Sequence, residues 1–451
     1  MSLLKNRLSR RQNTKEQDSS ILSNATESND NAENSNNSDS NNIFESDIIR
    51  ELKLKIEKIN LKHIHPDNKA SEKLSLETDN SKNCEHVIEH NNLKGQVKDT
   101  SLGEVWVNRE IYTDYCHGNE PASQYLESGE ALGILARDEK IEKLNPQKAL
   151  FIDTETTGLS SGSGTLPFLI GLGWFEDNSF IVEHLFCRNP GEEPAQLELL
   201  AEHMKKAEYL VSFNGKSFDI PLINTRFIIN RIENPGYNLP HLDLLHVSRR
   251  IFGKRLNDRS LQNLERVVLG FTRHGDIPGS EIPGVYKNYL RGLDNGEVAK
   301  ILEHNALDIV ALAALGGVLD KMYNDPDTVN YVKDSLGLAQ EAFGAGKIDK
   351  GRDHLIHAED FGTGDEKIAA LHMGAKHAKK HKDFVKAKEL FVEILKRDIS
   401  DLTANFNLAK YYEHHEKDYK KAIYHAKQSE ELEGSEASLH RQNRLLRKLK
   451  K

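Results

Sequence analysis

The chain has few cysteines, no surplus of positive charge and no long apolar run. It contains three cysteines among 451 residues. None of them forms a CxxC pair, so a disulfide framework is excluded. Lys and Arg number 61 against 70 for Asp and Glu, which gives a net charge of −9 and excludes a protein that coats nucleic acid through a generally basic surface. Contact with phosphate therefore requires a local basic patch or bound cations.

The apolar runs are short. The longest, at 309–319, spans 11 residues, whereas about 20 are needed to cross a bilayer. The first twelve residues carry positive charge with no apolar core behind them, so we expect no export signal. Together with the cysteine usage, these features predict a soluble, cytoplasmic protein that has no membrane partner.

The first hundred residues are mostly polar. Asn, Ser and acidic residues fill 20 of the 25 positions from 18 to 42. Such a segment has too little apolar surface to offset the entropy lost on ordering. We expect residues 1–98 to be largely disordered or linker, with one short amphipathic helix near 48–61.

The region 147–322 has the clearest pattern of secondary structure. The predicted strands are 148–153, 168–175, 179–186 and 207–215, and the first two predicted helices are 192–206 and 217–231. Three early strands followed by alternating helices and strands predict an α/β domain, a mixed sheet flanked by helices. We expect this domain to cover 99–324, with an accessory segment ahead of the 147–322 core.

The chain from residue 334 onward is nearly all helix-forming, and it repeats. Ile348, Phe384 and Tyr419 occupy equivalent positions at intervals of 36 and 35 residues. Such a period resembles tetratricopeptide helix pairs, and three repeats are enough to bury a continuous core. We predict an all-α, tetratricopeptide-like domain over 334–451 that recruits a protein partner. An ordinary helical bundle is the alternative.

Four acidic residues stand out by their surroundings. Asp153 and Glu155 end an apolar strand two positions apart, so both side chains face one side and can reach one cation. Asp219 lies at the entry of a predicted helix, where an acid is also favoured as a simple cap. Asp308 lies among apolar residues of a long helix, where an unpaired charge is costly, so a cation partner is expected.

Five separated segments resemble one family in their order along the chain. They are FIDTETTGLSSGSGT, FNGKSFDIPLI, HLDLLHVSRR, DIPGSEIPGVY and HNALDI. The first, second and last resemble the motifs of the DEDD 3′–5′ exonucleases of the ribonuclease H-like superfamily. The full set resembles the YprB family of bacterial ribonuclease H-like proteins over about residues 103–323. That family often carries tetratricopeptide repeats after the nuclease-like domain.

The resemblance implies a ribonuclease H-like fold and a nuclease activity. It implies that Asp153, Glu155, Asp219 and Asp308 are catalytic and bind two divalent cations, Mg²⁺ or Mn²⁺, which prefer oxygen ligands. One cation would activate a water for attack on phosphorus, and the other would stabilise the leaving oxygen. The activity implied is hydrolysis of phosphodiester bonds, most simply as a 3′–5′ exonuclease on single-stranded ends of DNA or RNA.

His304 is the candidate for a fifth catalytic residue. In the two subclasses of these exonucleases the general base is a His five positions before the last acid or a Tyr four positions before it. His304 precedes Asp308 by four positions, so this chain has the first residue type at the second spacing. Its imidazole could deprotonate the attacking water. Alternatively, it is a helix-face histidine that hydrogen-bonds to Asp308.

Further residues near the motifs are candidates for contact with nucleic acid. The candidate substrate-binding residues are Thr156, Thr157, Asn214, Arg249, Arg250 and Tyr286. The two threonines follow the first acids in a turn that lies under the terminal nucleotide in the superfamily. The two arginines belong to the densest positive patch and either hold the phosphate backbone or form a solvated surface. The tyrosine lies in a segment rich in Pro and Gly and could stack on an unpaired base.

Two alternative functions stay open at this point. The chain could be an adaptor that binds nucleic acid with little or no cleavage and acts through its helical repeats. It could also be a structure-specific endonuclease, because the same carboxylates serve both kinds of hydrolysis.

Overall fold

The computed structural model of the protein describes residues 95–143, 145–158, 164–293 and 296–450. The helix expected near 48–61 and the disorder expected up to residue 94 lie outside the described residues. The strands are β1 Gln96–Thr100, β2 Gly103–Tyr112, β3 Cys116–His117, β4 Glu120–Pro121, β5 Ala149–Thr156, β6 Pro167–Glu176, β7 Ser179–Phe186, β8 Tyr209–Ser212 and β9 His241–Asp243.

The first seven helices belong to the domain that contains the sheet. They are α1 Glu130–Ala136, α2 Glu193–Lys206, α3 Asp219–Asn230, α4 Leu244–Phe252, α5 Leu261–Leu264, α6 Ile282–Tyr289 and α7 Glu297–Asn324. The remaining helices are α8 Val332–Gly344, α9 Ile348–Phe361, α10 Gly364–Lys380, α11 Phe384–Arg397, α12 Leu402–Tyr411, α13 Tyr419–Gln428, α14 Glu430–Glu433 and α15 Ser435–Leu449. The fold class predicted from the sequence, a mixed sheet flanked by helices and followed by a helical region, is confirmed.

Seven strands form one sheet in the order β1-β2-β7-β6-β5-β8-β9. Strand β5 pairs antiparallel with β6 and parallel with β8, and β8 pairs parallel with β9. Strand β8, the short β9 and the apolar first half of β5 are buried, as expected for strands covered on both faces. Their carboxyl ends lie side by side, the usual place for a site in a sheet of this kind.

Strand β1 starts at Gln96, within the segment that the sequence assigned to linker. Its side chains are exposed or half-buried, so it has no apolar alternation that would mark a strand. Its antiparallel pairing with β2 defines it instead, and Val97 lies opposite Trp106. The folded region therefore extends beyond the boundary expected at residue 99.

Helix α7 is the central helix of the domain and runs for 28 residues. By length and composition it could cross a membrane, but 83% of its most apolar window is buried inside the protein, which is typical of a core helix. Two glycines of β6 let it approach the sheet closely. A Cβ at Gly171 would overlap the Asn305 carboxamide, and one at Gly173 would press on Ile309. This close approach brings the polar part of α7 next to the end of β5.

The C-terminal helices pack in consecutive pairs, α8 with α9, α10 with α11 and α12 with α13. The residues aligned from the sequence, Ile348, Phe384 and Tyr419, are each the first residue of the second helix in a pair. The first pair also packs on the sheet domain, because Leu338 and Ala342 of α8 belong to its core. The helical region is therefore continuous with that domain, and its assignment to the tetratricopeptide class stays a prediction.

Candidate active site

Strand β5 presents the first two acids. Asp153 and Glu155 lie in its last four residues, opposite Gly171 and Leu169 of β6. The Asn305 side chain of α7 donates a hydrogen bond of 2.8 Å from Nδ2 to Oδ2 of Asp153. The intervening Thr154 contacts the start of α3, where its hydroxyl meets Asp219.

Asp219 is held at the first turn of α3. The Thr154 hydroxyl donates a hydrogen bond to its carboxylate, which links this acid to the strand that carries Asp153 and Glu155. The start of a helix also favours a negative charge. Although 65 residues separate Thr154 from Asp219, the three acids lie at one end of the sheet.

Asp308 reaches the same place from α7 and is paired with Arg273. The Arg273 guanidinium donates to the carboxylate of Asp308, and it also donates two hydrogen bonds of 2.9 Å to Glu265. Arg273 is buried, with 5% of its side chain exposed. The carboxylate expected to need a cation partner therefore has a permanent one within the chain.

His304, in α7, lies between Asp276 on one side and Asp308 and Glu155 on the other. Its Nδ1 is 2.7 Å from Oδ1 of Asp276. Its Nε2 lies 3.5 Å from Oδ2 of Asp308 and 3.8 Å from Oε1 of Glu155. The sequence allowed His304 to be a helix-face histidine that hydrogen-bonds to Asp308. That hydrogen bond is not formed, because a separation of 3.5 Å is too long for one. The imidazole instead directs one nitrogen into the acidic cluster.

Burial raises the pKa of each of the four acids, and neighbouring carboxylates raise those of Asp153 and Glu155 further. Burial raises the pKa of Asp153 well above its ordinary value, and the charges of Asp308, Asp219 and Glu155 raise it further. The pKa of Glu155 is raised by burial and by Asp308 and Asp219. Burial raises the pKa of Asp219 to about 6, even though Thr154 lowers it. Burial also raises that of Asp308, against the opposing effect of Arg273.

Such a concentration of buried carboxylates fits divalent cations. Single ligand atoms of Glu155, His304 and Asp308 all lie within 4.8 Å of one another. Carboxylate oxygens are the donors that Mg²⁺ and Mn²⁺ prefer, and an imidazole nitrogen is acceptable to Mn²⁺ as well. A bound cation would also remove the mutual repulsion that raises these pKa values. The donor set is therefore suitable for one or two such ions.

A cleft of about 510 Å³ opens on the site. It is lined by Asp153 and Asp308, by Asn214, and by the two positive side chains Arg249 and Arg259. Positive side chains beside an acidic cluster suit a substrate that carries several phosphates, because acidic clusters can hold cations and arginines can bond to phosphate oxygens.

Arg249 and Arg250 face different surroundings, although they are adjacent. Arg249 is exposed and lines the cleft. Arg250 donates from Nε to Glu341 of α8 at 2.7 Å and also donates to the carbonyl of Leu135. The expectation that Arg250 binds substrate is therefore wrong, since neighbouring helix positions point about 100° apart and this one holds α8 against the domain.

Tyr286 is also placed differently from the expectation. It is 1% exposed, and it stacks on Phe168 with ring centroids 3.9 Å apart and planes 5° apart. Its hydroxyl donates to the carbonyl of Cys187. The Pro/Gly-rich segment that suggested a surface loop forms helix α6, which packs this ring into the core. The aromatic residue exposed near the site is Phe218, which directly precedes Asp219 and is 53% exposed.

The remaining candidates brace the turns beside the acids. The Thr156 hydroxyl donates to the carbonyl of Gly158 at 2.8 Å, and the Thr157 hydroxyl accepts from the backbone of Leu166 at 3.0 Å. Asn214 has a left-handed backbone, with φ of 67°. Its N–H donates to the Asp243 carboxylate at 2.8 Å. Both turns lie beside the four acids, and their contact with substrate stays a prediction.

Sequence reasoning missed three residues that contact the predicted site. Asn305 directly follows His304. The feature that could have identified it is an amide side chain in an otherwise apolar helix. Arg273 and Asp276 lie in a loop without periodicity, where one arginine and one acid look like solvated surface. Their partners are 35 and 28 residues away along the chain.

Comparison with known proteins agrees with this architecture. Residues 150–319 match a family model described as the RNase_H superfamily. The chain is also similar to a Bacillus subtilis (strain 168) protein called "Uncharacterized protein YprB", at 28% identity over 292 residues, which is 63% of this chain and 70% of that protein. Residues 150–319 contain the four acids, His304 and most of the central helix. Domains of this superfamily usually use divalent metal ions.

Proposed function

The chain is a relative of YprB with a ribonuclease H superfamily domain over residues 150–319, and we propose that it is a metal-dependent 3′–5′ exonuclease acting on single-stranded ends of DNA or RNA. One observation carries this proposal. Asp153, Glu155, Asp219 and Asp308 come from three separate elements, and their charges act on one another at the end of the sheet. Buried acids in such proximity are costly without cations.

Asp153, Glu155, Asp219 and Asp308 would hold two divalent cations, Mg²⁺ or Mn²⁺. When bound, such cations activate water for attack on phosphorus and stabilise the negative charge on the departing oxygen. The chain's own residues keep the carboxylates in place: Asn305 orients Asp153, the Thr154 hydroxyl orients Asp219, and Arg273 orients Asp308. Fixed ligands of this kind need no reorganisation during the reaction.

The cleft supplies the contact with the nucleic-acid backbone. Arg249 and Arg259 line it beside Asp153 and Asp308, so a phosphate next to the scissile one can be held by charge without any reading of sequence. Phe218, exposed directly before Asp219, offers a ring on which the terminal base can stack. These contacts favour a single strand, whose bases are free to stack.

The proposal is tested with oligonucleotides labelled at the 5′ or the 3′ end, in DNA and RNA versions, incubated with the full chain and Mn²⁺. A 3′–5′ exonuclease produces progressively shorter 5′-labelled products, and EDTA stops the reaction. Asp153→Asn and Asp308→Asn should abolish it with folding retained. Cleavage of circular single-stranded DNA would indicate an endonuclease instead. Absence of cleavage of every substrate would contradict a nuclease function.

The ion pair between Arg273 and Asp308 favours a second candidate function. A guanidinium at this carboxylate partly replaces a cation, so the domain could hold nucleic acid without cutting it while the helical repeats recruit a protein partner. In that case the full chain binds oligonucleotides and leaves them intact, and Arg273→Ala does not create a cleaving enzyme. The same labelled substrates therefore separate the two functions.

A further inference from the structure

The loop between α5 and α6 contributes a carboxylate, Asp276, that no sequence motif marks as functional. Oδ1 of Asp276 is 2.7 Å from Nδ1 of His304. Its Oδ2 accepts a hydrogen bond of 3.2 Å from Arg273 and one of 2.9 Å from Gln262. Its backbone neighbour Ile277 donates to Oδ1 as well. The Arg273, Gln262 and Ile277 groups bonded to this carboxylate all donate to it, so Asp276 acts as an acceptor.

These contacts fix which ring nitrogen of His304 carries the proton. Because Asp276 can only accept, the hydrogen bond at Nδ1 requires a proton on that nitrogen. In the neutral imidazole the other nitrogen, Nε2, then has a free lone pair. In catalytic histidines, a carboxylate that accepts a hydrogen bond from one ring nitrogen keeps the other ring nitrogen unprotonated and able to accept a proton.

The free nitrogen faces the acidic cluster at distances that leave room for one small donor. Nε2 is 3.5 Å from Oδ2 of Asp308 and 3.8 Å from Oε1 of Glu155. Neither distance is a direct hydrogen bond, and polar separations of this size are commonly bridged by a water molecule. A water bound here can donate one of its two hydrogens to Nε2 and the other to one of the two carboxylates.

We propose that Asp276 is a positioning residue that keeps the proton of His304 on Nδ1 and directs the lone pair of Nε2 to the attacking water. This inference rests on the proposed nuclease function. In the step, the water oxygen forms a bond to phosphorus and one water proton moves to Nε2. The bond from phosphorus to the departing 3′ oxygen breaks, and that oxygen keeps the electron pair and takes a proton from solvent.

Arg273 gives the arrangement its rigidity. It contacts Asp276, Glu265 and Asp308 at once, and Glu265 is in turn 2.7 Å from the buried His117. The loop that carries Asp276 is therefore attached to both β3 and α7. A single carboxamide in place of the carboxylate would disturb the proton on His304 without removing this framework.

The first test uses Asp276→Asn. Two donors, Arg273 and Gln262, face Oδ2 and one, the Ile277 N–H, faces Oδ1, so the amide NH₂ group of asparagine is placed more easily towards His304. In that orientation it forces the ring proton to Nε2. We expect kcat to fall about 10²- to 10⁴-fold, as on loss of a general base, while Mn²⁺ affinity and the melting temperature are retained. Asp401→Asn is the matched control, because it changes a carboxylate 2.8 Å from His372 in the repeats, and it should leave kcat unchanged.

The second test determines directly which ring nitrogen of His304 carries the proton, and it does not depend on activity. The ¹⁵N spectrum of the histidine-labelled, metal-free full chain is recorded at about pH 9, where imidazoles are neutral, and His304→Ala identifies the resonances. We expect a protonated Nδ1 and an unprotonated Nε2 in the wild type, and the reverse in Asp276→Asn.

Three results would overturn the inference. They are a wild-type His304 with its proton on Nε2, an unchanged kcat in Asp276→Asn, and a fall in Mn²⁺ affinity of about 10- to 100-fold, which is typical when the oriented histidine is a metal ligand. If the wild type cleaves nothing, the proposed function fails, whereas the ¹⁵N spectrum still decides whether Asp276 fixes the tautomer.

Discussion

Nδ2 of Asn305 donates a hydrogen bond of 2.8 Å to Oδ2 of Asp153, and this contact exists because Gly171 has no side chain. A Cβ at Gly171 would overlap the Oδ1 end of the same carboxamide. The central helix can therefore place an amide against the first acid only while a glycine occupies the opposite strand. The packing of the central helix and the placement of the first acid of the proposed active site therefore depend on the same glycine.

Gly171→Ala should displace Asn305 and with it the Asp153 carboxylate. We expect the free energy of unfolding to fall by about 1–3 kcal/mol, which is typical of overpacking in a core. We expect nuclease activity to fall by more than the loss of folded protein accounts for. Gly279→Ala is the control, since nothing lies within 4 Å of a Cβ built there. Urea denaturation and the labelled-oligonucleotide assay measure the two quantities. Full activity in Gly171→Ala would show that the Asn305 contact is dispensable.

Arg249→Ala and Arg250→Ala form a matched pair of adjacent substitutions. Arg249 lines the cleft, so its removal should weaken oligonucleotide binding and reduce the slope of log affinity against log salt concentration by about 1. Arg250 pairs with the buried Glu341, so its removal should cost about 1–3 kcal/mol of stability and leave that slope unchanged. Fluorescence anisotropy at several salt concentrations separates the effects. Equal salt slopes in both variants would contradict the assignment of Arg249.

Phe218→Ala should weaken binding of a single strand. Stacking of a base on an aromatic ring contributes about 1–3 kcal/mol, and Phe218 is the exposed ring next to Asp219. The control is Tyr237→Ala, which removes another ring that is 64% exposed and that follows the far end of α3 rather than the end that carries Asp219. Duplex DNA, whose bases are already stacked, should bind both variants as it binds the wild type. A loss that is equal for single strands and duplexes would exclude stacking.

The stability of the metal-free protein should fall as pH rises from about 4 to 6. The pKa of Asp219 is about 6 in the folded chain, raised mainly by burial, and about 4 in an unfolded chain. Between these values the folded state holds the proton more tightly, so a rise in pH removes up to about 1.4 kcal/mol of stability per pH unit for this group.

Urea denaturation in EDTA at several pH values measures this fall. Asp219→Asn should reduce the slope, whereas Asp177→Asn, in the exposed turn between β6 and β7, should leave it unchanged. Saturating Mn²⁺ should abolish the fall in the wild type, because a cation compensates the buried charge. A slope that is the same in Asp219→Asn and the wild type would contradict the burial of this carboxylate.

Much of the architecture could be predicted because its signals are local. Strands β5, β6 and β7 are short apolar runs bounded by turns, and the alignment of Ile348, Phe384 and Tyr419 marks the starts of three helices. The edge strand β1 could not be found, because its identity comes from pairing with β2 rather than from its own composition. Local pattern identifies elements that bury one face and misses those that depend on a neighbour.

The same distinction applies to the site residues: those with a local sequence pattern could be predicted, and those placed by tertiary contacts could not. The four acids and His304 were identifiable because each lies in a motif at the end of a strand or on a helix. Whether Arg249 or Arg250 faced the cleft depended on the rotation of one helix, and the burial of Tyr286 depended on its packing against Phe168. Asp276 and Arg273 make long-range ion pairs, which have no signature in a single sequence.

The stoichiometry of Mn²⁺ binding to the full chain, measured by isothermal titration calorimetry, tests the central claim most directly. The four acids should bind two ions per chain, and Asp153→Asn or Asp308→Asn should remove at least one of them while the melting temperature in EDTA is retained or raised. Absence of binding, or binding that neither substitution alters, would show that these carboxylates are not a metal site.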